Sequence, residues 1–173
     1  MARAILVCLL LLAPAGSRAE GPSEYAVKAA FLYNFAKFVE WPEGTFSGAA
    51  DPIALCVLNE NPFGTLLEDA VRDKTVNGRQ IAVREAKTLS AAARCHIVFL
   101  ASGSLDEHLR ALVNQPILTV SDAESAVERG AIIGLKLEER RVRFEVNLVS
   151  ARKARLKLSS QLLKIAVRLI GHL

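Results

Sequence analysis

Histidine, cysteine and glycine motifs are sparse in this chain, and each shortage closes off a class of chemistry. Its three histidines, His96, His108 and His172, lie far apart, and none stands near Cys, Asp or Glu at metal-ligand spacing. The usual zinc patterns are therefore excluded. No Gly-x-Ser-x-Gly, P-loop or Gly-x-Gly-x-x-Gly motif occurs, so nucleophile elbows and phosphate cradles have no sequence support. Gly130 and Gly134 are spaced as Gly-x-x-x-Gly, but in a predicted strand and outside any long apolar helix, where that spacing has no helix-pairing meaning. No catalytic residue, metal or cofactor is expected, and the protein reads as a non-enzyme. Beyond the first residues, no apolar run approaches the roughly 20 needed to span a bilayer as a helix.

What is present begins with an export signal. Arg3 precedes the apolar run Ala4 to Ala13, and Ser17-Arg18-Ala19 puts small side chains at −3 and −1 of a cleavage site after Ala19. Residues 1–19 are expected to leave as a signal peptide, taking Cys8, Arg3 and Arg18 with them. The mature chain, residues 20–173, then has 20 basic side chains against 18 acidic ones, and its length suits one exported domain.

Periodicity predicts a first helix over Glu24 to Trp41, capped by Ser23 and ended by Pro42. Ile53 to Leu58 and His96 to Leu100 are continuous apolar runs, the pattern of strands buried on both faces. Further strands are expected at Gln80 to Arg84 and Ile117 to Val120, and Ala131 to Leu137 with Val142 to Val146 forms a hairpin. Helices are expected at Leu66 to Val71, Leu89 to Ala93, from a Ser104 cap through Val113, and at Glu124 to Glu128, with a helical tail from Asn147 to Leu173 that Leu156-Lys157-Leu158 divides in two, Ser159 or Ser160 capping the second helix. Gly44 to Pro52 reads as weakly structured, and Asn77-Gly78 as a turn. This alternation implies an α/β fold: a three-layer, doubly wound, mostly parallel sheet with an antiparallel C-terminal hairpin at one edge and terminal helices.

In such sheets ligands bind beyond the C-terminal strand ends, where Asn59, Asn61, Ser102, Ser104 and Asp122 form polar loops. These are candidates for a small-solute site, although such residues are also ordinary in loops and caps. Six basic residues and no acid follow Glu145: Arg152, Lys153, Arg155, Lys157, Lys164 and Arg168. They lack the interleaved aromatics of a nucleic-acid surface, so they read as a solvated or partner-facing patch. Six of the ten aromatics, Tyr25, Phe31, Tyr33, Phe35, Phe38 and Trp41, crowd into the first helix and its exit. One narrow stripe cannot bury all six, so Tyr33 or Trp41 is expected to stay partly exposed and available to a partner.

Two blocks, Tyr25 to Pro42 and Val142 to Leu148 continuing through Leu158-Ser159-Ser160-Gln161-Leu162-Leu163-Lys164, resemble the YfiR family of exported regulators. The resemblance implies a periplasmic protein that binds the sensor region of a YfiN-like inner-membrane diguanylate cyclase and keeps it inactive. It also implies release through a YfiB-like outer-membrane lipoprotein, and control of cyclic di-GMP and biofilm formation. A homodimer is likewise an implication of resemblance alone. The runner-up reading is a periplasmic small-solute-binding module.

Cys56 and Cys95 are the only cysteines left after export, in an oxidising compartment. A doubly wound sheet commonly sets its first and third strands side by side, and the family pairs cysteines at matching places, so a disulfide is expected. The family's second pair is missing, since no cysteine follows Cys95. Arg155 stands where the family usually has Gly, and would be strained if the preceding helix closed with a left-handed residue there.

Overall fold

A computed structural model describes residues 22–101 and 103–171. The expected signal peptide, Ser102 and His172 lie outside them. Within the described residues no helix is long and apolar enough to cross a membrane.

The chain runs α1 (Glu24–Lys37), β1 (Val39–Glu40), β2 (Ile53–Leu58), α2 (Leu66–Val71), β3 (Thr75–Val76), β4 (Arg79–Ala86), α3 (Leu89–Ala92) and β5 (Ile97–Leu100). It continues through α4 (Leu105–Leu112), β6 (Leu118–Ser121), β7 (Ile133–Glu138), β8 (Arg141–Asn147), α5 (Leu148–Lys153), β9 (Lys157–Leu158), α6 (Ser160–Ile165) and β10 (Arg168–Ile170). Eight strands form one sheet in the order β10-β8-β7-β6-β5-β2-β4-β3. It is mostly parallel, with β7–β8 and β3–β4 antiparallel.

Alternation within β2 splits the interior in two. Ile53, Leu55 and Val57 join a core with Leu32 and Phe35 of α1 and Leu67 of α2. Ala54, Cys56 and Leu58 join a second core with Ala92 of α3 and Leu105, Leu109 and Leu112 of α4. A strand apolar on both faces is thus covered on both faces. Because β5 lies directly beside β2, with Cys56 opposite Val98, Cys95 at the entrance to β5 reaches Cys56. The two form a disulfide with Cα atoms 6.1 Å apart, inside the usual range.

Several local expectations are corrected by long-range pairing. The first helix ends at Lys37, short of Trp41, because the chain turns extended at β1 and pairs antiparallel with β9. Glu124 to Glu128 forms turns instead of a helix, and Ser125 has φ +52°, outside the right-handed region. The tail breaks at β9 and Ser159 caps α6 as expected, but its end is a strand instead of a helix, β10 pairing parallel to β8. The β7–β8 hairpin therefore lies one strand in from the sheet edge. Its turn places Glu139 and Arg140 at φ +48° and +63°, the type I′ pattern that matches strand twist. Asn77-Gly78 does the same between β3 and β4.

Candidate functional site

The strand order reverses around β2, with β4 on one side and β5 on the other, so the crevice past their C-terminal ends is where an open α/β sheet would receive a ligand. Here the protein's own side chains occupy it. Phe63, 2% exposed, stacks edge-on against Phe99 at 4.8 Å and against Tyr25 of α1 at 5.3 Å. Asp122, just past β6, accepts hydrogen bonds from Lys28 Nζ at 2.6 Å and Tyr25 Oη at 3.2 Å. Lys28 is buried and also pairs with Glu24. Burial pulls the Lys28 ammonium down, but the bonds to Asp122 and Glu24 outweigh it and hold its pKa above the ordinary value. Burial and the Asp122 charge push the Tyr25 phenol up. The first turn of α1 is thereby latched across the strand ends.

The other loop candidates serve the backbone or face water. Asn61 Oδ1 accepts the Phe63 N–H at 2.9 Å, while its Nδ2 donates to the Gly64 carbonyl and to Glu85, an Asx-type turn. Asn59 is exposed at φ +70°. Ser104 precedes α4, but its hydroxyl makes no capping bond. Among the described residues no group of three His, Cys, Asp or Glu side chains is placed to hold a metal ion.

At the opposite end of the sheet Trp41 joins a second cluster. Its Nε1 donates to the His96 carbonyl at 3.3 Å, and Phe46 stacks on the His96 ring at 4.4 Å with the Arg79 guanidinium 4.0 Å from its other side. Nδ1 of His96 accepts the Ala54 N–H at 2.9 Å, which requires the neutral ring. Burial, helped by the charges of Arg79 and Arg84, lowers the His96 pKa against a hydrogen bond to the Thr45 carbonyl. The Gly44 to Pro52 loop is tied down here as well, since Arg79 donates to the carbonyls of Gly48 and Asp51.

Of the six clustered aromatics only Phe35 is fully buried; Tyr25, Phe31, Tyr33, Phe38 and Trp41 are half-buried. Tyr33 has Lys74 and Lys37 over its ring at 4.8 and 5.3 Å. Phe31 and Phe35 pack on Phe144 of β8. The first half of α1 and the β7–β8 hairpin leave an open groove of about 910 Å³ between them. Leu137, 53% exposed, stands in it. Sequence alternation puts Leu137 on the core-facing side of its strand, and nothing in that pattern shows that the hairpin outruns its helical cover.

The basic residues separate into two groups. Arg152, Lys153, Arg155, Lys157 and Lys164 are exposed on α5, the turn after it, β9 and α6. Arg168 instead donates to both oxygens of Glu145 at 2.9 Å and pairs with Glu128. Those bonds to Arg168, joined by Lys136, outweigh burial and hold the Glu145 carboxyl below the usual carboxylate range. Arg155 has φ +57° and closes α5 in a Schellman motif, with Arg155 N–H to the Arg152 carbonyl and Leu156 N–H to the Ala151 carbonyl. The β1–β9 pairing and the Ser159 N–H to Phe38 carbonyl bond bring the chain before Trp41 beside the chain after Arg155. The two blocks of family-like sequence thus meet.

A profile of the YfiR/HmsC-like family matches residues 25–167. Among solved structures, the crystal structure of a conserved domain protein from Vibrio cholerae O1 biovar eltor str. N16961 superposes with a TM-score of 0.59 at 13% identity, which concerns the fold alone. The match covers 85% of this chain and 60% of that one. No curated protein matches the chain.

Proposed function

The chain belongs to the YfiR/HmsC-like family, whose members are periplasmic regulators in cyclic di-GMP signalling, and from that premise we propose that it restrains a YfiN-like inner-membrane diguanylate cyclase by direct protein contact. In this reading residues 1–19 are removed after Ala19, residues 20–173 act as one periplasmic domain, and a YfiB-like outer-membrane lipoprotein relieves the restraint. One observation carries the proposal: the crevice where an α/β sheet would take a small ligand is filled by Phe63, Tyr25 and the Lys28–Asp122 pair, whereas half-buried aromatics and exposed cations remain on the outer surface. That distribution suits a binder of protein surfaces, in which aromatic and arginine side chains supply most of the affinity.

The test is reconstitution. Membranes carrying a YfiN-like GGDEF cyclase should convert GTP to cyclic di-GMP more slowly when the exported protein is added, and the protein should capture the cyclase in a pull-down. Unchanged turnover and no captured membrane protein, together with a thermal shift by a small solute, would transfer the assignment to solute binding.

A further inference from the structure

The groove along α1 has a shape and a charge that select an occupant. Its floor is formed by Val27, Phe31, Leu137 and Val142. A smaller cavity of about 280 Å³ shares Phe31 and continues the track past Phe38 to Ile165, a side chain 63% exposed. From Val27 to Phe38 the track follows α1 for roughly 16 Å at the helical rise, about three turns of a second helix laid alongside. Apolar side chains as exposed as Leu137 and Ile165 at the two ends of one groove are the usual mark of a binding surface.

Charge settles which kind of helix fits. Arg140 and Arg141 stand on the hairpin wall of the groove, and among the described residues neither forms an ion pair. The acid on the facing wall, Glu24, is paired with Lys28 at 2.5 Å, a cation it shares with Asp122. An apolar floor bordered by unpaired arginines favours a segment with apolar residues at i, i+3, i+4 and i+7 and carboxylates on its flank. A bilayer is flat and cannot enter a concave groove.

We infer that the groove between α1 and the β7–β8 hairpin receives an acidic amphipathic helix of a partner protein. This rests on the reading that the protein acts by protein contact, and it supplies the surface.

The experiment uses protein purified from the periplasm and a fluorescein-labelled designed helix of about 15 residues with Leu at the i, i+3, i+4, i+7 positions and Glu elsewhere. A control peptide carries Lys in place of every Glu. The acidic peptide should bind saturably, and Leu137→Glu and the pair Arg140→Glu/Arg141→Glu should each weaken it about tenfold. The charge-reversed pair should gain the basic peptide. All three positions lie at the surface, and unchanged melting temperatures will show that the variants fold. No saturable binding, equal binding of both peptides, or indifference to both variants overturns the inference, as does tighter capture by phosphatidylglycerol vesicles that is lost with the same substitutions. Failure of the function is distinguishable from failure of the groove. If wild-type protein inhibits the cyclase and both variants inhibit it equally, the groove is wrong and the function stands. If wild-type protein inhibits nothing, the function falls while the peptide titration still decides the groove.

Discussion

Reducing the Cys56–Cys95 disulfide should remove a substantial part of the stability while leaving the folded architecture recognisable. The bridge closes a loop over a sequence separation of 39, for which the chain-entropy relation gives about 4 kcal/mol at room temperature. Comparing oxidised and reduced wild-type protein isolates this quantity, because no side-chain volume changes. With a urea slope of about 2 kcal/mol per molar for a protein of this size, the midpoint should fall by about 2 M. The melting temperature should drop by roughly 10 °C. Position adds a kinetic expectation. Cys56 and Cys95 are 1% and 6% exposed, so a reductant must wait for the α3 side of the sheet to open, and reduction under native conditions should track unfolding. The bridge then acts as a structural staple instead of a redox switch. The measurement is a pair of urea titrations, with alkylation and mass spectrometry reporting thiol state. Midpoints equivalent to within about 1 kcal/mol, or thiols that become alkylated in the folded protein at once on adding reductant, would refute the reasoning.

Arg155→Gly should stabilise the protein by about 1 kcal/mol, because the φ of +57° costs a side-chain-bearing residue somewhat more than the extra chain entropy glycine loses on folding; thermal melts check it, and a loss of stability would refute it. Asp122→Ala should destabilise by about 3 kcal/mol by leaving the buried Lys28 ammonium without its main partner, and adding Lys28→Met should recover much of that; urea titration of the single and double variants decides. Folding lowers the His96 pKa below 6.5, so the unfolded chain takes up the proton first. The stability this confers is complete above about pH 6.5 and is lost as pH falls through the lower folded value. His96→Asn, which keeps an acceptor for the Ala54 N–H but cannot titrate, should flatten that segment of the stability profile between pH 7 and 5; an unchanged slope there would exclude His96 as its cause.

The resemblance to the YfiR family and the α/β class were both readable before any coordinates, because they rest on neighbouring residues. Continuous apolar runs such as Ile53 to Leu58 can only be buried on both faces, and Asn77-Gly78 favours the left-handed conformations of a tight hairpin. Asn59, Asn61, Ser104 and Asp122 follow the C-terminal ends of β2, β5 and β6, where strand order alone places them. What they do there was not legible, since the partner of Asp122 is 94 residues away in sequence.

Sequence by itself determined the class of fold, the mostly parallel sheet and the cysteine pair on neighbouring elements. All of these follow from periodicity, turn chemistry or the handedness of βαβ connections. Tertiary structure alone decided the short strands β1, β9 and β10, the early end of α1, the latching of Asp122 by Lys28 and the groove beside Leu137. Two- and three-residue strands carry no period and exist only where another strand supplies the hydrogen bonds. Whether an apolar side chain such as Leu137 is covered depends on how far a helix from the other end of the chain extends over it.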